Sequence, residues 1–196
     1  TNGAAILVAG NSDYNTFSNN DLRVNVNTTT SLVSCITFTS NAGSSTAVPS
    51  DGDYNLISNN RMIGGYYGVR LYGSTTIINT NNRVIENEID SVYYYGVWAY
   101  YQDSTDVIGN RIVQTNRGNA FGDGIYGFVN NNFRINSNYV LADDYGVYTS
   151  NSNVNTRPLG RVNEVINNMI ISNTDFGLYF FSVDSVNMFH NSIVGL

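Results

Sequence analysis

Residues 54–62 read YNLISNNRM and repeat residues 14–22, which read YNTFSNNDL. Each segment contains an asparagine, Asn20 or Asn60, with an apolar residue two positions after it, Leu22 or Met62. Repetition of one short unit along a chain is the signature of a repeat architecture. The same unit recurs further along the chain at Asn87, Asn110, Asn138, Asn168 and Asn191.

A second unit, a glycine followed by an apolar residue, alternates with the asparagine unit. The closest spacings, 22 residues from Gly124 to Gly146 and 23 residues from Asn87 to Asn110, set the shortest repeat. Insertions near residues 73–80, 114–123 and 151–160 lengthen individual repeats. The glycines of this second unit are Gly68, Gly96, Gly124, Gly146 and Gly177.

The composition excludes several classes of protein. Ala, Leu, Met, Glu, Gln, Lys and Arg together supply only 34 of 196 residues, whereas Val and Ile supply 36 and Asn supplies 32. These numbers exclude a helical bundle and favour an all-β protein. There is no lysine, so a Schiff base or a P-loop is impossible, and the net charge of −6 argues against nucleic-acid binding. Cys35 is the single cysteine and is interpreted as a small buried core residue.

A period of about 22–23 residues is too short for a propeller blade and fits a coil of three short strands. The two units resemble the repeat of the right-handed, pectin-lyase-like parallel β-helix superfamily over roughly residues 14–196. The resemblance implies an all-β, right-handed parallel β-helix of about seven coils, each of about 22–23 residues with loop insertions. We expect residues 1–196 to form a single β-helix segment.

In such a coil, alternation along the glycine unit places two apolar residues of each strand inside, among them Val69 with Leu71 and Val97 with Ala99. The last glycine unit places Leu178 and Phe180 inside in the same way. The repeated asparagines are predicted to stack at one bend, where each side-chain amide bonds the next. The residues that follow four of them alternate in charge, as stacked neighbours should. They are Asp21, Arg61, Glu88 and Arg111.

The ends of the solenoid need cover, because each end of a β-helix presents an unpaired strand edge. Neither terminus offers an amphipathic helix as a cap. We therefore expect a fragment of a longer solenoid, or end-to-end stacking with further β-helix coils. No apolar run approaches the length of a membrane span, so no membrane span is expected.

An outward stripe is predicted between the two inward positions of each glycine unit. It would hold Arg70 and four aromatic residues, and a flat aromatic stripe suits stacking against sugar rings; the alternative is plain cross-strand packing. Tyr94, Tyr100 and Tyr101 add aromatic residues near Trp98. The stripe itself consists of Arg70, Trp98, Tyr126, Tyr148 and Tyr179.

Carboxylates just ahead of the later glycines are the candidate catalytic groups. Paired carboxylates could act as acid and base on a glycoside or hold a calcium ion, although turn formation is the commoner role. Residues 173–175, NTD, match a polygalacturonase motif, but the rest of that family's pattern is missing. A lyase would need an arginine such as Arg117 or Arg157. The candidate carboxylates are Asp123, Asp143, Asp144 and Asp175.

Three functions remain open on this sequence. The first is a non-catalytic stalk or adhesin-type module, secreted or at the cell surface of a bacterium, that contacts a polysaccharide or a cell-surface glycan. The second is a carbohydrate-active enzyme, a polysaccharide lyase or glycoside hydrolase. The third is a structural filament or tail-fibre module. The first needs no cofactor, and calcium is the one cofactor that the carboxylates suggest.

Overall fold

The computed structural model describes residues 3–40, 49–114, 121–152 and 162–196. These residues form 22 β-strands, and none of them is helical. The strands build three parallel sheets, in which each strand pairs with its counterpart one coil away.

Sheet A has eight strands. Strands β7 and β8 both pair with β11: β7 pairs with its first part, and the short β8 pairs with its last two residues. They are β1 (Gly3–Ala9), β4 (Val33–Thr39), β7 (Tyr67–Tyr72), β8 (Asn79–Thr80), β11 (Tyr95–Asp103), β14 (Asp123–Asn131), β17 (Val147–Ser152) and β20 (Leu178–Val183).

Sheets B and C have seven strands each. Sheet B contains β2 (Thr16–Ser18), β5 (Leu56–Ser58), β9 (Arg83–Ile85), β12 (Asp106–Ile108), β15 (Arg134–Asn136), β18 (Asn163–Ile166) and β21 (Val186–Phe189). Sheet C contains β3 (Asp21–Arg23), β6 (Arg61–Ile63), β10 (Glu88–Asp90), β13 (Arg111–Val113), β16 (Tyr139–Ala142), β19 (Met169–Ser172) and β22 (Ser192–Gly195).

The chain passes through sheets A, B and C in turn and completes seven coils. The predicted right-handed parallel β-helix of about seven coils is therefore confirmed. The insertions predicted at residues 114–123 and 151–160 fall mostly outside the described residues.

The core is a column of apolar side chains that neighbour one another from coil to coil. Val69 and Leu71 are fully buried and align with Val97 and Ala99 of the next coil. Leu178 and Phe180 of the last coil are partly buried and pack against this column. The predicted inward positions are thus confirmed. Burying such apolar surface is the main force that stabilises the fold.

The glycines of the second unit stack because the chain passes too close for a side chain. A Cβ on Gly96 would lie 2.4 Å from Ile112 Cγ2 and 2.5 Å from Gly124 O. A Cβ on Gly124 would lie 2.2 Å from Val140 Cγ1. The glycine repeat therefore comes from a close approach of sheet A to sheet C and to the neighbouring coil.

The repeated asparagines form a hydrogen-bonded ladder at the bend between sheets B and C. Asn87 shows the pattern: its Nδ2 donates to Asn110 Oδ1 at 3.0 Å and to Ile57 O at 2.9 Å. The predicted stack is confirmed. The left-handed backbone, however, lies one residue earlier, as at Glu86 and His190, with φ of 54° and 55°. The ladder runs through Asn20, Asn60, Asn87, Asn110, Asn138, Asn168 and Asn191.

A second, interrupted ladder lies at the bend between sheets A and B and was not predicted. Asn55 Oδ1 accepts from Asn15 Nδ2 at 3.0 Å, and Asn82 Oδ1 accepts from Asn55 Nδ2 at 3.2 Å. Thr105 and Phe133 occupy the same position in the next two coils, and Asn163 follows them.

The predicted alternation of charge on sheet C is present as a line of ion pairs. Arg61 lies 3.8 Å from Asp21 and 3.5 Å from Glu88, and Glu88 lies 3.8 Å from Arg111. Each pair is exposed and contributes only about 0.2–1 kcal/mol. A tighter, unpredicted line on sheet B joins Arg134 Nε to Asp106 at 2.8 Å, with Arg83 3.6 Å from the same carboxylate.

Candidate ligand-binding face

The predicted stripe lies on the outer face of sheet A in one register. Arg70 pairs with Trp98, Trp98 with Tyr126, Tyr126 with Tyr148 and Tyr148 with Tyr179, from β7 to β20. The four aromatic side chains are partly exposed and do not enter the core. Adjacent parallel strands are about 4.8 Å apart, so the stripe crosses five strands at near-constant spacing.

Two further aromatic rows flank this stripe, and of their members only Tyr100 was expected from the sequence. Tyr72, Tyr100 and Phe128 align along one side. On the other side the rings of Tyr145 and Phe176 are 6.2 Å apart and contact Tyr179. We call the whole set the aromatic face. Its members are Tyr67, Tyr72, Tyr95, Trp98, Tyr100, Tyr126, Phe128, Tyr145, Tyr148, Phe176 and Tyr179.

The rings of the aromatic face stack on one another along the solenoid axis. The ring centroids of Tyr126 and Tyr148 are 4.6 Å apart with planes 3° from parallel, and those of Tyr148 and Tyr179 are 5.3 Å apart at 24°. Parallel rings this close lie face to face, in an offset stack. The ring faces of this ladder are therefore occupied by neighbouring rings, and the flat platform expected for sugar stacking is not formed here.

Stacking turns the ring edges, and not the ring faces, away from the sheet. Burial raises the pKa of the Tyr126 hydroxyl, so that hydroxyl is partly desolvated. Side chains on a strand stand roughly perpendicular to the sheet, so the outermost atom of a stacked tyrosine is its hydroxyl oxygen. Tyr126, Tyr148 and Tyr179 therefore present a line of hydroxyl groups in register. A phenol hydroxyl both donates and accepts hydrogen bonds, which suits a ligand rich in hydroxyl groups.

Arg70 differs from the prediction, because its side chain is buried rather than exposed to solvent. Only 2% of the residue is accessible. Its guanidinium carbon lies 5.1 Å from the ring centroids of Tyr72 and Trp98 and 5.3 Å from that of Tyr67. These contacts are cation–π geometry, so Arg70 supports the rings above it and does not reach the surface.

Three of the four predicted carboxylates come together at the edge of the aromatic face. Asp123 aligns with Tyr95 on sheet A and is 4% exposed, and its Oδ1 accepts from the Tyr145 backbone N–H at 3.2 Å. Asp144 and Asp175 are close enough to Asp123 to interact with its charge. Asp143 points elsewhere: its Oδ1 accepts from Asn173 Nδ2 at 3.4 Å.

Burial dominates the electrostatics of this edge. Desolvation, aided by the charges of Asp144 and Asp175, raises the pKa of Asp123 to about 8, against the backbone hydrogen bond from Tyr145. Desolvation likewise raises the pKa of Asp144 above its ordinary value. Burial, with the neighbouring Asp175 carboxylate, raises the pKa of the Tyr145 hydroxyl to about 12. Asp123 is therefore largely protonated near neutral pH.

No metal-binding cluster accompanies these carboxylates in the part of the chain that the structure describes. There, no group of three or more His, Cys, Asp or Glu side chains could hold a metal ion. The calcium site that the sequence left open therefore has no such cluster to support it. Arg117 and Arg157, the arginines considered for a lyase, lie outside the described residues.

The other single residues of interest have structural positions. Cys35 is fully buried, and burial raises the pKa of its thiol to about 12, which confirms the core interpretation. His190 is an exposed bend residue, as expected. No helix in the described ranges could cross a membrane.

The three sheets and the asparagine ladder define a right-handed parallel β-helix. Residues 44–195 match a protein family described as "Periplasmic copper-binding protein (NosD)", and the chain belongs to that family. The family's periplasmic description agrees with the secreted or cell-surface location expected from the sequence. A comparison with curated proteins gave no significant match.

Among solved structures, the chain is similar to a crystal structure of a point mutant of the periplasmic alginate epimerase AlgG. The two share 15% sequence identity with a TM-score of 0.47. The similarity covers 98% of this chain and 48% of the other, so this chain spans about half the length of the epimerase.

The residues of this chain do not fit the copper of the family's description. Copper in proteins favours imidazole, thiolate and thioether ligands. The chain has one histidine, one cysteine and three methionines. His190 lies on an exposed bend, whereas Cys35 and Met62 are buried in the core. Met169 lies on sheet C and Met188 on sheet B, and within the described ranges neither joins a cluster of His, Cys, Asp or Glu.

Proposed function

We propose that this chain is a non-catalytic β-helix module that binds an extended polysaccharide through its aromatic face. The observation that carries the proposal is the line of partly exposed tyrosines, Tyr126, Tyr148 and Tyr179, which repeats once per coil in fixed register. A row of apolar side chains that keeps part of its surface exposed is a common mark of a binding site. A repeating surface suits a repeating ligand.

The contacts would be made by hydroxyl groups and ring edges. Each tyrosine hydroxyl can exchange one hydrogen bond with a sugar hydroxyl, worth about 0.5–1.5 kcal/mol. Such contacts are weak singly, but a polymer engages several at once and the later contacts form at high effective concentration. A long chain should therefore bind well and a short oligosaccharide poorly.

The proposal places the module outside the cytoplasm, secreted or at a cell surface. The periplasmic description of the family supports this location. The ligand could be a free polysaccharide or a glycan on a cell surface.

Trp98 makes the proposal testable without labelling, because it is the single tryptophan and its ring contacts Tyr67 and Tyr72 in the aromatic face. A panel of polysaccharides would be titrated while Trp98 emission is followed, with Tyr126→Ala/Tyr148→Ala as the comparison. We expect saturable emission changes that the double variant loses. Unchanged emission across a broad panel, or binding that survives the double substitution, would reject the site.

A carbohydrate-active enzyme is the second candidate, and Asp123 is the observation that favours it. A buried carboxyl with a pKa near 8, beside Asp144 and Asp175, is the arrangement in which one group can donate a proton while another stays ionised. Incubation with polysaccharides and assay of new reducing ends or unsaturated products would test this. Cleavage abolished by Asp123→Asn would establish the enzyme, and an unchanged polymer would exclude it for that substrate.

A further inference from the structure

The charge around the aromatic face narrows the ligand class, and this inference rests on the proposed binding function. The carboxylates lie against the face itself. Tyr145 connects the two: its hydroxyl is near enough to the Asp175 carboxylate to interact with its charge, and its ring lies 5.4 Å from that of Tyr148. On the same edge, Asp123 interacts with the Tyr126 hydroxyl. A ligand on the tyrosine line would therefore lie beside this acidic edge.

Among the described residues, no exposed arginine lies on the aromatic face; Arg117, Arg157 and Arg161 lie outside them. Arg70 is the one arginine among the described residues of sheet A, and Tyr67, Tyr72 and Trp98 cover it. The arginines on the other two sheets pair with carboxylates there, as Arg61 does with Glu88 and Arg134 with Asp106. A carboxylate on a bound ligand would thus meet Asp144 and Asp175 and no accessible cation of the described sheet.

We infer that the aromatic face recognises an uncharged, hydroxyl-rich polysaccharide and discriminates against polyuronates. Asp144 and Asp175 would accept hydrogen bonds from sugar hydroxyls, as the tyrosine hydroxyls donate and accept them. The same carboxylates would repel each uronate group near them, and salt would screen this repulsion. Repeated along a polymer, the penalty becomes a clear preference.

The test uses one polysaccharide, polygalacturonan, in an uncharged and a charged form, so that the shape of the polymer stays nearly constant. Trp98 emission would be followed while the whole chain is titrated with highly methyl-esterified polygalacturonan and with its unesterified form. Neutral glucan, xylan and mannan complete the panel. We expect an uncharged polymer to reach half-saturation at a concentration at least 10-fold lower than the polyuronate at low salt. The difference between the two half-saturation concentrations should become smaller in about 0.5 M NaCl, where the Debye length is only a few ångströms.

Two charge-removing variants separate local charge from net charge. Asp144→Asn/Asp175→Asn should reduce the preference for the uncharged polymer over the polyuronate at least threefold. Glu86→Gln/Glu164→Gln removes two charges from elsewhere on the solenoid and should leave that preference unchanged. Polyuronate binding that equals or exceeds neutral binding would overturn the inference and leave the binding function standing. No binding to any polymer would overturn both.

Discussion

Asn110 and Asn138 are joined by two hydrogen bonds across neighbouring coils: Asn138 Oδ1 accepts from the Asn110 backbone N–H at 2.9 Å and from Asn110 Nδ2 at 3.0 Å. Asn110 Nδ2 also donates to Val84 O at 2.9 Å, and Asn110 Oδ1 accepts from Asn87 in the same manner as Asn138 does from Asn110. Every polar atom of the buried side chain is used. Only an amide, with a donor and an acceptor at one end, can do this.

Removal of one ladder amide should destabilise the solenoid. We expect Asn110→Ala to lower the free energy of unfolding by about 1–3 kcal/mol, because buried backbone groups of Val84 and Asn87 lose their partner. Asn110→Asp should cost more, since a carboxylate cannot donate to Val84 O or Asn138 Oδ1. Urea denaturation would measure both, with the partly exposed Asn136→Ala as the control. If Asn110→Asp were neutral, the ladder would not be a stabilising element.

Stacked glycines should tolerate no side chain. Gly124→Ala would place a Cβ 2.5 Å from Gly146 O and closer still to Val140, and two packed coils would have to separate. We expect a loss of about 3 kcal/mol or more, or failure to fold, as for severe overpacking. Gly3→Ala is the matched control, because no atom lies within 4 Å of its Cβ position. Thermal unfolding would compare the two, and equal melting temperatures would contradict the close approach.

The two lines of ion pairs should differ in strength. Asp106 is nearly buried and holds Arg134 through two hydrogen bonds of 2.8 and 2.5 Å. Asp106→Asn should therefore cost about 1–2 kcal/mol, whereas Glu88→Gln on the exposed line should cost about 0.5 kcal/mol or less. Chemical denaturation at low and high salt would separate them. A Glu88→Gln effect as large as that of Asp106→Asn would show that burial does not set the difference.

Stability should fall as pH rises, because of Asp123. Its folded pKa is about 8, whereas an unfolded aspartate has a pKa of about 3.9. Between these values the folded state keeps a proton that the unfolded state has lost, so stability falls through this window and levels off above it. We expect Asp123→Asn to reduce the decline between pH 5 and pH 9 by about 2–5 kcal/mol.

Unfolding in urea at pH 5, 7 and 9 would check this, with the exposed Asp51→Asn as the control. A decline of the same size in Asp123→Asn and in the unaltered chain would show that the Asp123 carboxyl is not held protonated.

The fold was predictable because the asparagine unit and the glycine unit occupy the two positions of each coil that accept the fewest residue types. Asn87 and Gly96 mark positions where only an amide fits the bend or only glycine fits the gap. The second asparagine ladder was not predictable in the same way. Thr105 and Phe133 interrupt it, so no regular spacing is left in the sequence.

The candidate site was only partly predictable, since register fixes which residues are neighbours but not how their rings turn. The alignment of Trp98 with Tyr126 followed from the glycine unit, whereas the face-to-face stacking of Tyr126 on Tyr148 depends on side-chain rotamers. The burial of Arg70 depends on two tyrosines of its own strand and on Trp98 of the next coil.

The most direct test of the binding function compares two double variants at the tyrosine line by isothermal titration calorimetry with a polysaccharide from the panel. Tyr126→Phe/Tyr148→Phe keeps the stacked rings and removes both hydroxyls. We expect it to bind about 10-fold more weakly with an unchanged melting temperature, because about 1–3 kcal/mol of hydrogen bonding is lost. Tyr126→Ala/Tyr148→Ala should lose both binding and stability. Wild-type affinity in the phenylalanine variant would contradict recognition through the hydroxyl groups.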